Sequence, residues 1–266
     1  MKENLVGEIL KERSKEMYED GFKGATTEAG QALEAVVGLF NNVVLYPIKK
    51  ANLSFKYKLE EFEKDLKREI SKIDNSNIIE PPLSVLGPTL EALKYTFDTN
   101  ELREMYVNLL AKSMNIETVQ LTHPGYVDII KSMSYLDAII FQKIYKINGP
   151  IACSKVQVGF GNKVYSLAMP NYFAPSLLND EDPFLVSSSI SNLCRLGVIN
   201  HEINSINGYN YDSFKNHKFV KERLEIFEEV HNKGENSFHK LEVTLSKNVL
   251  YLNDFGKNFG KVCVPQ

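Results

Sequence analysis

The sequence predicts a mainly α protein: an N-terminal helical domain, residues 1–133, followed by a winged-helix-like α/β domain, residues 134–266. Three observations carry this. Apolar residues recur at three- and four-residue spacing over the first half, the period of amphipathic helices. Helix punctuation accompanies them, as acidic or hydroxyl pairs three residues apart and prolines at helix starts. After Asn148 the pattern shortens to stretches rich in Gly, Pro, Asn and Tyr, then a helix, then LCRLGVI and an Asn-Gly pair, the order of a winged helix.

Taken in order, residues 3–20 read as a short charged helix with Leu5, Ile9, Leu10 and Met17 as a thin apolar stripe. Residues 24–46 carry only two charges, Glu28 and Glu34, and place Ala32, Val36, Leu39, Phe40, Val43 and Val44 on one helical face. After Pro47, residues 48–73 form a long amphipathic helix with Phe55, Leu59, Phe62, Leu66, Ile70 and Ile73 inward. Its run KLEEFEKDLKREISK reads as a solvated face laced with ion pairs one turn apart.

The most patterned stretch is residues 80–114, EPPLSVLGPTLEALKYTFDTNELREMYVNLLAKSM. Pro81 and Pro82 predict an extended approach. Gly87-Pro88 marks either a turn or a helix start at Pro88. Asp98 and Glu101 have capping-box spacing for a second helix whose buried face is Leu102, Met105, Tyr106, Leu109, Leu110 and Ser113. Further on, Pro124 opens a helix through Tyr126, Ile129, Ile130 and Met133. Ser134 and Asp137 cap the next, with Leu136, Ile139, Ile140 and Ile144 inward. Asp182 and Pro183 start a helix that carries Leu185, Ile190, Leu193 and Leu196 inward and ends at Gly197. Asn207-Gly208 predicts a hairpin. Residues 215–230 give a charged helix with Phe219, Leu224 and Phe227 inward, and the tail gives strand and then a capped helix from Asn253.

Composition narrows the function classes. The 266 residues hold 31 Lys and Arg against 34 Asp and Glu, a net charge of −3 that carries no nucleic-acid signature. The halves are alike: residues 1–133 carry 17 basic and 21 acidic side chains, residues 134–266 carry 14 and 13. Cys153, Cys194 and Cys263 are distant from one another and predict reduced thiols. The N-terminus lacks the apolar core of a signal peptide, so a cytoplasmic location is the expectation.

No catalytic or metal-binding constellation emerges. The five histidines never reach the spacing of HxxxH or HExxH, and GxSxG, GxxxxGK[ST] and GxGxxG are absent. His123, before Pro124, reads as a loop histidine packed on a helix start. Glu101, Arg103 and Glu104 read as capping and ion-pair residues. The helix after Pro183 offers Arg195, Asn192 and four serines, a poor set for reading DNA. No cofactor and no enzymatic activity are expected.

The runs EPPLSVLGPTLEALKY, ELREMYVNLLAKSM and HPGYVDIIKSMSYLDA resemble the bacterial abortive infection alpha family. So does EAGQALEAVVGLFNNVVLYPIKK upstream, and the likeness covers residues 20–147, with LCRLGVI and LNDFGKNFGKVC as looser matches beyond. The resemblance implies phage defence in which an infected cell stops growing or dies. It supplies no catalytic residue. It marks Glu80, Pro81, Pro82, Gly87, Pro88, Glu101, Leu102, Asn108, Leu110, Ala111, Ser113, Met114, His123 and Pro124 as structural or interaction positions, to which the charge pattern adds Arg103.

These readings converge on an antiphage protein acting non-enzymatically through a protein partner or a homo-oligomer. Two alternatives stand beside it. One is a membrane-active effector that inserts the small-residue helix 25–46 conditionally, with Ala32, Val36, Leu39, Phe40, Val43 and Val44 as the active face; the helix is too short and interrupted for a constitutive span. The other is a winged-helix nucleic-acid-binding regulator, which the charge balance disfavours.

Overall fold

The computed structural model describes Val36, Gly38 and residues 53–96, 99–160, 163–165, 169–232 and 241–265. Among these residues the protein is mainly helical, with one small antiparallel sheet in its C-terminal part. The chain divides into two compact units, Met1–Ser132 with Lys261–Gln266, and Met133–Gly260.

The first unit contains α1 (Leu53–Ile70), α2 (Leu83–Thr96), α3 (Asn100–Ser113) and α4 (Gly125–Lys131). Helix α3 packs against all three others, and ten of its 14 residues are buried, which makes it the centre of this unit. Phe62, Leu66 and Ile70 of α1 are buried at the four-residue spacing read from the sequence. The segments flanking α2 and α3 are tied by Ile79 N–H donating to Met114 O at 2.9 Å and Ile116 N–H donating to Asn77 O at 2.9 Å.

Two expectations in this unit are corrected. Pro88 neither opens a helix nor follows a turn: α2 already begins at Leu83, where Pro82 O accepts from Val85 and Leu86 N–H, and Pro88 lies inside the helix. A residue before proline is normally pushed out of the α region by its Cβ, and Gly87 has none, so the helix passes through. The cap of α3 is Thr99, without a side-chain bond, and Asp98 lies outside the described residues.

The second unit runs α5 (Tyr135–Ile147), β1 (Ile151–Phe160), β2 (Lys163–Tyr165), α6 (Pro175–Leu178), α7 (Pro183–Arg195), β3 (Ile199–Glu202), α8 (Lys218–Asn232), β4 (Leu241–Leu252) and α9 (Asp254–Cys263), whose last residues group with the first unit. The sheet order is β2-β1-β4-β3 with every pairing antiparallel. Helix α5 starts with the capping box expected of Ser134 and Asp137: Asp137 N–H donates to Ser134 Oγ, and Ser134 N–H donates to Asp137 Oδ2 at 2.7 Å. Asp182 caps α7 by accepting from Phe184 N–H at 2.7 Å, and Gly197 ends it with φ +72°.

Asn207-Gly208 forms a turn but not a hairpin. The residues after it enter a 3-10 segment, Tyr211–Asn216, and the strand that pairs with β3 is β4, beyond α8. Leu185, expected inward, is exposed, and Val186, one turn before the buried Ile190, takes the inward position. Phe219, Leu224 and Phe227 of α8 are half-buried, and Val220 is buried.

Helix α9 begins under Asn253, whose Oδ1 accepts from Gly256 N–H and whose Nδ2 donates to Gly197 O, both at 2.8 Å. The helix thereby lies so close to the α7–β3 connection that a Cβ on Gly256 would fall 1.8 Å from Val198 O. At Gly260 the neighbour is the ring of Tyr145, 2.2 Å from such a Cβ. Backbone yields less than a ring, so Gly256→Ala is expected to destabilise by about 3 kcal/mol and Gly260→Ala by less, about 1–2 kcal/mol, in urea denaturation.

Candidate functional site

The charge pattern of the first unit converges on Arg103. It projects from α3 toward α1 and is 8% exposed, so its guanidinium must be paired where it lies. Glu61 Oε2 accepts from Nη1 at 3.0 Å, and Asp65 Oδ2 lies 3.3 Å from Nε, within ion-pair distance but outside hydrogen-bond geometry. Asp65 also pairs with Arg68 at 2.9 Å, and Glu69 pairs with Arg68 at 3.1 Å and with Lys72 at 2.5 Å.

A cleft of about 280 Å³ opens beside this ladder, lined by Arg68, Glu69, Lys72, Glu104, Val107, Asn108 and Pro265. Asn108 is buried there with its amide donating to Glu104 O at 2.9 Å and to Cys263 O at 3.5 Å. Burial raises the Glu104 carboxyl above its usual range, and the neighbouring charge of Asp65 adds to the rise. Glu69 behaves oppositely: burial would raise it, but its bonds to Lys72 and Arg68 outweigh that and hold it low.

A second cleft, of about 290 Å³, lies on one face of the sheet in the other unit. Lys155 of β1 stands opposite Ser246 of β4, and Asn248 follows two residues along on the same face. His201 of β3 reaches Asn248 Oδ1 at 3.2 Å and meets the Tyr172 ring edge-on at 5.0 Å. Asn171, Ser191 and Ile203 complete the lining.

The three cysteines are free, and burial raises each thiol, Cys153 to about 12, so they stay protonated and unreactive. Among the described residues no group of three or more His, Cys, Asp or Glu is placed to hold a metal ion, and no helix is long and apolar enough to cross a membrane.

A family model described as abortive infection alpha matches residues 54–263. The chain belongs to the abortive infection alpha family. Membership implies a role in abortive-infection phage defence. No curated protein and no solved structure matches the chain. The match to the abortive infection alpha family extends through both units, further than the motifs in the first half alone suggested, and it begins after the small-residue stretch 25–46.

The positions singled out in the sequence scatter in this abortive infection alpha protein. Arg103 and Asn108 come together along α3, with Glu101 half-buried in its first turn. Glu80, Pro81 and Pro82 form the approach to α2, Gly87 and Pro88 lie within it, and Pro88 faces solvent. His123 and Pro124 are exposed at the start of α4, where His123 Nδ1 accepts from Gly125 N–H at 3.0 Å, the helix-start packing anticipated for that histidine. Of the proposed membrane-active face only Val36 is described, helical and 1% exposed; Ala32, Leu39, Phe40, Val43 and Val44 lie outside the described residues. The cleft around His201 was not foreseen, because its members are brought together only by strand register.

Arg103→Ala is expected to destabilise by about 3 kcal/mol, since it leaves Asp65 without its buried partner, and Arg103→Lys to recover only part of that loss, because one ammonium cannot reach both carboxylates as the fork does. Urea denaturation of the two variants checks this. The raised carboxyl of Glu104 favours the folded state below the unfolded carboxylate pKa, and that contribution is lost as pH rises through the folded value. Glu104→Gln is therefore expected to be more stable than the parent at pH 7, with the difference shrinking toward pH 4 in thermal melts.

Proposed function

We propose that this protein defends against phage without catalysing a reaction, through protein contacts that include self-association, and that its second unit is a winged-helix-like contact module. The succession α5, β1, α6, α7, β3 and β4, with β4 between β1 and β3, supports the winged-helix reading. In that arrangement the helix preceding the second strand, here α7, is the one a nucleic-acid reader would lay in the major groove.

The outward face of α7 carries the functional reading. Leu185, Ser188, Ser191 and Arg195 are its exposed residues, one apolar, two small and neutral, one cationic. The guanidinium of Arg195 is engaged by Asn192 Oδ1 at 2.9 and 2.7 Å. A phosphate-binding face presents several unengaged cations, whereas a small-residue face with a large apolar side chain suits a protein partner. Exposed apolar side chains elsewhere, Leu83 at 61% and Ile226 at 52%, support self-association.

Leu185→Glu leaves the buried residues untouched and is expected to weaken the contact about tenfold, about 1.4 kcal/mol, and so to lower the protection of expressing cells read as plating efficiency. Sedimentation velocity is expected to show the parent larger than a monomer. Full protection by Leu185→Glu from a strictly monomeric parent would overturn the reading, and salt-dependent binding of mixed duplexes in fluorescence anisotropy would replace it with the nucleic-acid one.

A further inference from the structure

We propose that the cleft around His201 binds a small organic phosphate monoester. The face of the sheet that forms it grades from apolar to polar: Cys153, Ile199 and Leu250 are at most 1% exposed, while Lys155, His201 and Ser246 on the same face are half-buried at the opening. Tyr172, from the loop before α6, and Ser191 of α7 line it alongside the strands.

The polar groups fall into two sets. One set is spent on holding the site. Asn248, 3% exposed, donates from Nδ2 to Ser246 O at 3.0 Å, which turns its Oδ1 toward His201 and assigns the imidazole proton to Nε2. Tyr172 N–H donates to Ser187 Oγ at 3.0 Å, and Ser191 Oγ donates to Ser187 O at 2.9 Å, fixing the other wall. The second set has capacity left: the Lys155 ammonium, the Asn171 amide and the Ser246 hydroxyl have no partner among the described residues. Polar groups clustered in a cleft with hydrogen bonds unmade are those a ligand can satisfy.

Their chemistry selects the ligand. The lining holds one ammonium and no carboxylate, and the His201 imidazole proton is already given to Asn248, so the charge that favours an anion over a cation is that of Lys155. The cationic donor is a lysine, a point charge with three rotatable N–H groups, and the neutral donors come from separate elements. A planar carboxylate is matched by an arginine fork; donors from several directions suit a tetrahedral phosphate. The Tyr172 ring and the side chain of Ile203, 81% exposed at the rim, offer apolar cover for an organic substituent. The cleft shares Ser191 with the outward face of α7, and it is tested without the protein-contact reading.

Isothermal titration of the full chain with phenyl phosphate is expected to show saturable binding at one site. Lys155→Met is expected to weaken it about tenfold or more and Ser246→Ala about threefold, the losses for a charge-assisted and a neutral hydrogen bond, while Lys221→Met on exposed α8 binds as the parent does. Far-UV circular dichroism confirms that each variant is folded. Inorganic phosphate and benzoate are expected to bind more weakly than phenyl phosphate. Absence of saturable heat overturns the site, as does parent-like binding by both Lys155→Met and Ser246→Ala. Equal or tighter binding of benzoate overturns the phosphate assignment, and equal or tighter binding of inorganic phosphate overturns the ester.

Discussion

Helix α3 has little surface to give to solvent, and the first unit is arranged around that fact. Its apolar positions meet α1, α2 and α4, so the polar residues interspersed among them must find partners inside the packing. Arg103 is the extreme case. Removing a guanidinium from water costs several kcal/mol, and Glu61 and Asp65, one turn apart on α1, offset that cost by facing it together. Such a pair adds little net stability compared with an apolar contact of the same size. Its effect shows when it is broken, because removing one partner leaves the opposite charge buried and uncompensated. The raised Glu104 and lowered Glu69 are consequences of the same crowding: one carboxyl is buried near like charge, and the other is held by two cations.

In the second unit β4 plays the corresponding part, and Asn248 is its fixed point. Its side chain bridges Ser246 and His201, and its backbone carbonyl accepts from Tyr211 Oη at 3.1 Å. That same tyrosine oxygen accepts from Ile206 N–H at 3.3 Å. The return from β3 is thus anchored to β4 by the first residue of the 3-10 segment, before the chain enters α8. This anchoring explains why a long insertion between two paired strands leaves the sheet intact, since the chain is pinned shortly after β3 ends. It also holds His201 against Asn248, so the cleft is a by-product of how the insertion is tied down.

Local signals were legible in the sequence wherever one helix turn decides the outcome. Ser134 with Asp137, Asp182 with Pro183, and the periodic Leu102, Met105, Tyr106, Leu109 and Leu110 of α3 act within three or four residues, and each sits where the pattern placed it. What the sequence hid depends on partners far along the chain. Pro88 inside α2 is decided partly by Gly87, a local effect, but mostly by packing of Val85, Leu86, Leu90 and Leu93, which holds the helix through the missing hydrogen bond. Asn207-Gly208 carries a strong hairpin signal, and its turn did form, but β3 found its partner past α8 because β4 is the longer strand and pairs on both edges. The His201 cleft draws on β1, β3, β4 and α7, and no spacing rule links residues 155, 191, 201 and 248.

The span of the family match shifts where activity is to be sought. The sequence alone offers the small-residue stretch 25–46 as a candidate membrane-active face. A function common to the abortive infection alpha family resides in residues that the family shares, and the match runs from residue 54 to residue 263. It takes in the Arg103 ladder, the outward face of α7 and the sheet with its cleft. Val36, from the unmatched segment, is buried and so contributes to packing at that position. The 80–114 stretch keeps its structural standing as the core of the first unit through the buried residues of α2 and α3, while Leu83 and Tyr95 of α2 stay exposed. Leu185 on α7 and Lys155 above the sheet, the footholds of the proposed contact and of the proposed ligand, both lie in the second unit and inside the family match.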